Sequence, residues 1–234
     1  MPLILSLENI TKRFGYRCIL NDITLKIETG EFITLIGNNG AGKSTLLRII
    51  STLSKPTNGK ITFYGKSKKE SILEWRQKIG IISHENRLYG DLSSADNLRV
   101  FGTLYGVKDI DINTDQVLRK TDLIHVAQMP VSNFSSGMIK RLMIARLMLC
   151  KPKILILDEP FAGLDQNSMQ WFENYLTAFH QHGGTVLMVT HQLDLGLKLA
   201  NRVLVLHQQR IKHDNLASEL SIEKCVDWLD NNGI

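Results

Sequence analysis

The chain has 234 residues with 28 Lys and Arg against 23 Asp and Glu, a formal net charge of +5 and a pI near 9.1. That length can bury a sizeable core, and 43% hydrophobic with 22% charged residues is ordinary globular composition, which excludes a low-complexity or disordered chain. Cys18, Cys150 and Cys225 are widely spaced, with no Cys-x-x-Cys pair, and point to a reducing compartment and no metal cluster.

The mildly basic balance suits a polyanionic nucleotide or an anionic membrane surface. No apolar run reaches the length of a membrane span, and Met1-Pro2-Leu3 opens directly into a strand pattern. A soluble, cytoplasmic chain is expected.

In chain order, residues 3–10 alternate around Leu3, Leu5, Leu7 and Asn9 and predict a strand, which Thr11 to Gly15 punctuates. Ile19 to Ile27 predicts a second strand. Phe32 to Ile36 predicts a third, and Ser44 to Ser51 a helix carrying Leu46, Leu47, Ile49 and Ile50. Lys55 to Gly59 reads as a turn and Lys60 to Tyr64 as a short strand. Ile79 to Ser83 predicts another strand, ending at His84.

From there to Cys150 the character is helical. Ser93-Ser94-Ala95-Asp96 resembles a capping box ahead of Leu98, Phe101 and Tyr105. Asn113-Thr114 opens a second helix, and Ser135-Ser136-Gly137 a third with Met138, Leu142, Ala145 and Leu149 in register. The rest alternates. Ile154 to Leu157 reads as a strand buried on both faces, Gln166 to His182 as an amphipathic helix with Trp171, Tyr175 and Phe179, and Thr185 to Thr190 as a strand. Leu193 to Ala200 follows as a helix and Arg202 to Leu206 as a strand. Strand–helix alternation predicts an α/β protein with a parallel sheet covered by helices.

Between the third strand and its helix lies Gly37-Asn38-Asn39-Gly40-Ala41-Gly42-Lys43-Ser44, followed by Thr45. This is G-x-x-x-x-G-K-[ST] in the strand–loop–helix setting that makes a phosphate-binding loop. Glycines let the backbone N–H groups converge on an anion, and the helix N-terminus adds unpaired donors. Lys43 supplies a point charge for the outer phosphates, and the Ser44 hydroxyl can hold Mg²⁺. Asp158-Glu159 follows the apolar strand directly, at the C-terminal edge where parallel sheets bind ligands. Asp158 is placed to hold Mg²⁺ and Glu159 to polarise the attacking water. His191 ends the strand after it and emerges on the same edge, with a role at the γ-phosphate.

The order Gly37–Ser44, Phe134-Ser135-Ser136-Gly137-Met138, Leu157-Asp158-Glu159-Pro160, Gly163-Leu164-Asp165 and His191 resembles the ATP-binding subunit of an ABC transporter over nearly the whole chain. The resemblance implies a P-loop NTPase of ABC type over residues 1–234. Its parts are a mostly parallel sheet core, an antiparallel β-subdomain and a helical subdomain at about 85–150. It implies ATP and Mg²⁺ as cofactors and an ATPase powering separate membrane-spanning subunits at the cytoplasmic face of the membrane. It also implies a second copy of the chain in an ATP-sandwich dimer, and no nucleic-acid partner.

Within that resemblance, Ser135, Ser136 and Gly137 would contact the nucleotide of the other copy, and Asp165 would lie in the D-loop. The family motif is usually Leu-Ser-Gly-Gly-Gln, so the chain departs at Phe134, Ser136 and Met138. Phe14 matches the aromatic that stacks on adenine, with Tyr16 as the fallback. His84 stands where the family usually has a Gln reporting on Mg²⁺ and water. The stretch from Ser83 to Gly106 resembles the haem exporter ATPase of cytochrome c maturation, so haem export is the expected transport. The alternatives are an exporter of drugs, lipids or polysaccharides, and a soluble ABC-type assembly ATPase.

Overall fold

A computed structural model describes residues 2–83, 85 and 87–230, the side chains of 68–71 excepted. The chain opens with β1 (Leu3–Phe14), β2 (Arg17–Glu28) and β3 (Phe32–Ile36), then α1 (Lys43–Ile50), β4 (Asn58–Phe63), β5 (Lys66–Ser67), α2 (Lys68–Lys78) and β6 (Ile79–Ile82). Three helices follow: α3 (Ser94–Leu104), α4 (Ile110–Lys120) and α5 (Ser136–Cys150). The last part runs β7 (Ile154–Asp158), α6 (Gln166–Gln181), β8 (Thr185–Val189), α7 (Leu193–Leu199), β9 (Arg202–His207), β10 (Arg210–Leu216) and α8 (Ile222–Asp230).

Two sheets carry the architecture. One is antiparallel in the order β2-β1-β4-β5; the other has the order β10-β9-β3-β8-β7-β6, parallel except for β10 at its edge. The continuous apolar run of β7 has its physical reason here. Ile154 and Ile156 face a core shared with α1 and the antiparallel sheet, while Leu155 and Leu157 face a second core with Met143, Ile144 and Leu147 of α5 and Phe172 and Leu176 of α6. A side chain of this size, buried to this degree, contributes about 1.5–3 kcal/mol, so both faces hold the strand. A third core joins Ala95 and Leu98 of α3, Val117 and Leu118 of α4, and Leu142, Ala145 and Leu149 of α5. The two sheets and the helical part between β6 and β7 match the fold class expected from the sequence.

The structure departs from the sequence reading at identifiable points. β1 does not stop at residue 10 but runs to Phe14, and Gly15 makes the turn instead. Its alternation breaks at a bulge between the Leu7–Leu25 and Ile10–Ile23 pairs. Asn9 takes a left-handed φ of 52° there and Ile10, not Asn9, is buried. α4 begins a turn before Asn113, with Asp109 at its N-cap.

Four elements went unpredicted, the two-residue strand β5 among them. α2 is mostly polar; of its apolar residues Leu73 is exposed, and Trp75 is buried, stacking on Phe63 at 4.1 Å and donating to the Ile50 carbonyl at 2.9 Å. β10 is reached through Gln208 and Gln209, both at positive φ, a two-residue hairpin turn without the usual Asn-Gly signal. α8 buries Cys225 against Ile36, Val203 and Val205. Only the N-cap half of the capping box is seen: the Asp96 N–H donates to Ser93 Oγ at 3.1 Å, and the Asp96 carboxylate accepts from the Ser93 hydroxyl at 2.6 Å in place of its N–H.

Candidate nucleotide site

Loop 37–42 leaves β3 and turns into α1 under tight steric limits. A Cβ on Gly37 would lie 2.3 Å from the Leu206 carbonyl oxygen of the neighbouring strand. Gly42, at φ 106°, is hemmed by Leu20 and the Ile19 carbonyl, which a Cβ would meet at 2.8 and 2.9 Å. Backbone therefore passes where no side chain fits. α1 has no side-chain N-cap and no acidic residue in its first turn, so its leading N–H groups face the loop without a competing anion. Lys43 is 8% exposed and folds back over the loop, donating to the carbonyls of Gly37 at 2.6 Å and Asn38 at 3.1 Å. Burial pushes its ammonium pKa down, while the charges of Glu159 and Asp158 pull it back up.

β7 delivers the carboxylates from the other side. Asp158 closes the strand, paired with Val189 and 6% exposed. Glu159 follows at a left-handed φ of 48°. For a residue with a Cβ this conformation costs about 1–3 kcal/mol and persists only when its surroundings hold it. Its N–H donates to the Val189 carbonyl at 3.0 Å, and its own carbonyl accepts from Lys140 Nζ at 3.1 Å. Glu159 Oε1 is buried and has no hydrogen-bond partner. His191 Nε2 stands 3.5 Å from it, and the His191 N–H donates to Oε2 at 3.4 Å.

These groups enclose a cleft of about 350 Å³, within the size range of small-molecule sites. The structure brings together Asn39, Gly40, Gly42, Lys43, Ser44, Thr45, Asp158, Glu159 and His191 in its lining. Gly37 and Ala41 lie outside the lining, and the Asn38 amide turns away to donate to the Leu229 carbonyl of α8 at 2.8 Å. Phe14 is exposed at the β1–β2 turn with Lys12 Nζ 4.7 Å from its ring centroid, and Tyr16 is fully exposed; neither lines the cleft. Ser135, Ser136 and Gly137 lie outside it as well, at the start of α5, where Ser135 Oγ accepts from the Met138 N–H at 3.3 Å. Asp165 caps α6: Ser168 donates to it through its N–H at 2.9 Å and its hydroxyl at 3.0 Å, which holds the carboxyl below the usual range. His84 lies outside the described residues.

Sequence reasoning missed Arg17, Ile19 and Val189 in the lining and Lys140 behind Glu159. No motif marks the first two; they arrive because the β1–β2 hairpin folds onto the loop. A larger recess of about 540 Å³ opens at the opposite end of the parallel strands, between Tyr64, Lys153, Tyr175 and Phe179. It has no acidic side chain in its lining and does not include the loop or the carboxylates, so it is not the place for the chemistry.

Among the described residues no group of three or more His, Cys, Asp and Glu side chains could hold a metal ion unaided. Ser44 Oγ with the buried Asp158 carboxylate is nevertheless a donor set that fits Mg²⁺, which takes one or two carboxylates and completes its shell with phosphates and water.

A strand–loop–helix cradle set against a carboxylate pair on a parallel sheet edge defines a P-loop nucleotide-binding protein. The ABC transporter family matches residues 20–162. The lantibiotic transport ATP-binding protein SrtF of Streptococcus pyogenes is 37% identical over 212 residues, 89% of each chain. The Nod factor export ATP-binding protein I of Rhizobium johnstonii is 34% identical over 89% of this chain and 68% of that protein. The daunorubicin resistance ATP-binding protein DrrA3 of Streptomyces coeruleorubidus is 31% identical over 97% and 72%. Among solved structures, an ATP-binding subunit of an ABC transporter superimposes with a TM-score of 0.85 at 27% identity, covering 92% of this chain and 91% of that one. A dimeric post-hydrolysis state of the ATP-binding cassette MJ0796 bound to ADP and Pi gives 0.81 at 25%, covering 92% and 99%. The chain belongs to the ABC transporter ATP-binding family and is a transport-coupled ATPase.

Proposed function

We propose that the cleft between loop 37–45 and the Asp158–Glu159 pair is where this chain binds and hydrolyses MgATP, with residues 1–234 acting as one ATP-binding domain. The observation that carries the reading is the Glu159 carboxylate: one oxygen is buried beside the cleft and accepts no hydrogen bond, with His191 Nε2 3.5 Å away. A buried acceptor without a donor is costly, and a water awaiting attack would satisfy it. Lys43 would leave the loop carbonyls for the outer phosphates, and the glycine-lined backbone with the α1 N-terminus would hold the rest of the chain of phosphates. Ser44 and Asp158 would share Mg²⁺, whose chemistry is to neutralise the developing phosphoryl charge. Glu159 would take the proton as the water oxygen bonds to the γ-phosphorus and the bond to the β–γ bridging oxygen breaks. His191, beside Glu159, would orient that water or the γ-phosphate. Phe14 would close over adenine from its exposed turn.

The dimeric cassette structure supports a sandwich in which Ser135, Ser136, Gly137 and the α5 N-terminus reach the nucleotide of a second copy, with Asp165 at the same interface. The relatives' names support work with separate membrane subunits in an exporter, and so a peripheral place on the cytoplasmic face of the membrane. Among the described residues no helix is long and apolar enough to cross a membrane, and in this reading the spans belong to the partners. Haem as the transported substrate rests on the stretch from Ser83 to Gly106 alone. The relatives carry lantibiotic, Nod factor and daunorubicin in their names instead, and favour the other exporter branches. Glu159→Gln is the test: it should keep MgATP binding, nearly abolish turnover and accumulate an ATP-dependent dimer in size-exclusion chromatography. A variant that hydrolyses at the parent rate would remove Glu159 from the base role.

A further inference from the structure

Glu159 is held in its left-handed conformation from two directions. β8 holds the N–H side through the Val189 carbonyl at 3.0 Å; α5 holds the carbonyl side through Lys140 Nζ at 3.1 Å. The Ala162 N–H shares the same carbonyl at 3.3 Å, closing a turn that contains no other side-chain donor to that oxygen among the described residues. α5 touches the segment a second time. A Cβ on Gly137 would lie 3.3 Å from the Gly163 carbonyl oxygen, so the first turn of the helix sits directly on the chain that follows Glu159. Lys140 is half-buried there and feels the charges of both Asp158 and Glu159. Its hydrogen bond goes to the peptide and not to either carboxylate, which leaves the Glu159 Oε1 atom free of it.

We propose that Lys140 is a positioning residue for Glu159: by holding the carbonyl of a left-handed peptide it aims the carboxylate at the cleft. α5 thereby links its own N-terminus, at Ser135 to Gly137, to the base of the same chain. The proposal rests on the reading of Glu159 as the base. Lys140 is one helical turn beyond Gly137, so a displacement of the α5 N-terminus would reach the Glu159 peptide through a rigid element. A left-handed residue released on its carbonyl side relaxes toward the ordinary right-handed or extended regions, and its side chain then swings away from the cleft.

The test uses the purified full chain with MgATP. Lys140→Met removes the donor and keeps the aliphatic stem; Lys140→Arg keeps a donor. The expected result is a kcat lowered by about 10- to 100-fold in Lys140→Met, with KM and the dissociation constant for MgATP within about twofold, and substantial recovery in Lys140→Arg. In the Glu159→Gln background, Lys140→Met should subtract nothing further, because its effect passes through Glu159. Parent turnover in Lys140→Met overturns the proposal. So does a loss of MgATP affinity that matches the loss of turnover, which would assign Lys140 to charge balance at Asp158. If Lys140→Met melts early, Lys140→Gln is measured by the same criteria, its shorter side chain falling short of the carbonyl. Failure of the base reading shows separately, as parent turnover in Glu159→Gln with Lys140 intact.

Discussion

Lys43 is the residue on which phosphate affinity should depend most. Its ammonium is already inside the loop, on the Gly37 and Asn38 carbonyls, and desolvation disfavours its charge until an anion arrives. Lys43→Ala removes a charge-assisted hydrogen bond of roughly 1.5–3 kcal/mol, so MgATP affinity in calorimetric titration should fall by about 10- to 100-fold. Unchanged affinity would take Lys43 out of the phosphate site. Cys150 makes a different case. Burial pushes its thiol up to about 12, with Arg146 pulling the other way, and burial pushes Tyr175 up to about 12 as well. Both groups have folded pKa values raised above their unfolded ones. Their contribution to stability is therefore whole below pH 9 and is lost as pH rises from 9 toward 12. Urea denaturation at pH 8 and pH 10.5 should show the parent losing stability, and Cys150→Ala losing less of it. Equal losses would mean that the thiol ionises as readily in the folded state as in the unfolded one.

Individual elements show which local signals carry enough information. β3, the loop and α1 were legible because glycines, a lysine and an apolar strand occur in one contiguous stretch whose meaning is steric and electrostatic. α2 was not legible: its apolar residues are few, Leu73 among them is exposed, and what fastens it is Trp75, by stacking on Phe63 and bonding to α1, with Arg76 bonding Thr52. The β9–β10 hairpin was missed because Gln208 and Gln209 occupy positive φ, of 46° and 67°, which ordinary residues resist. That strain is removable. Gln209→Gly should raise stability by about 1 kcal/mol, since the Gln209 carbonyl that accepts from the Asn21 N–H at 2.8 Å is backbone and survives the change. A melting temperature that falls would show that the glutamine side chain holds the turn. The Asn9 bulge in β1 taught the same limit from the other side, because alternation read past Leu7 buried the wrong residue.

Across the whole molecule, the two sheets and the edge hairpin meet at Arg202. Its guanidinium donates to the Lys26 carbonyl at 2.9 Å, to Glu31 at 2.8 Å and to both Asp214 oxygens at 2.7 Å. Arg202 and Glu31 are 18% exposed at their side chains and Asp214 44%, so the Glu31 side is largely desolvated while the Asp214 side meets solvent. Arg202→Met should cost about 1.5–3 kcal/mol in chemical denaturation, with MgATP affinity little changed because Arg202 is not in the cleft lining. A cost below about 1 kcal/mol would mean that the network behaves as a solvated surface pair.

What the sequence determined by itself was local in origin: the phosphate loop, the Asp158–Glu159 pair at the end of an apolar strand, and His191 at the end of another. Each follows from short-range steric and hydrophobic patterns, and the parallel sheet collects them because parallel strands end on one edge. Tertiary structure alone decided what sits behind and around them. Arg17 and Ile19 reach the cleft because an antiparallel hairpin folds over the loop. Lys140 reaches the Glu159 carbonyl because α5 packs its apolar face on β7 and turns its polar side toward the strand's end. The left-handed turn at Glu159 is imposed by bonds from β8 and α5, elements distant in sequence, and no residue preference of glutamate announces it.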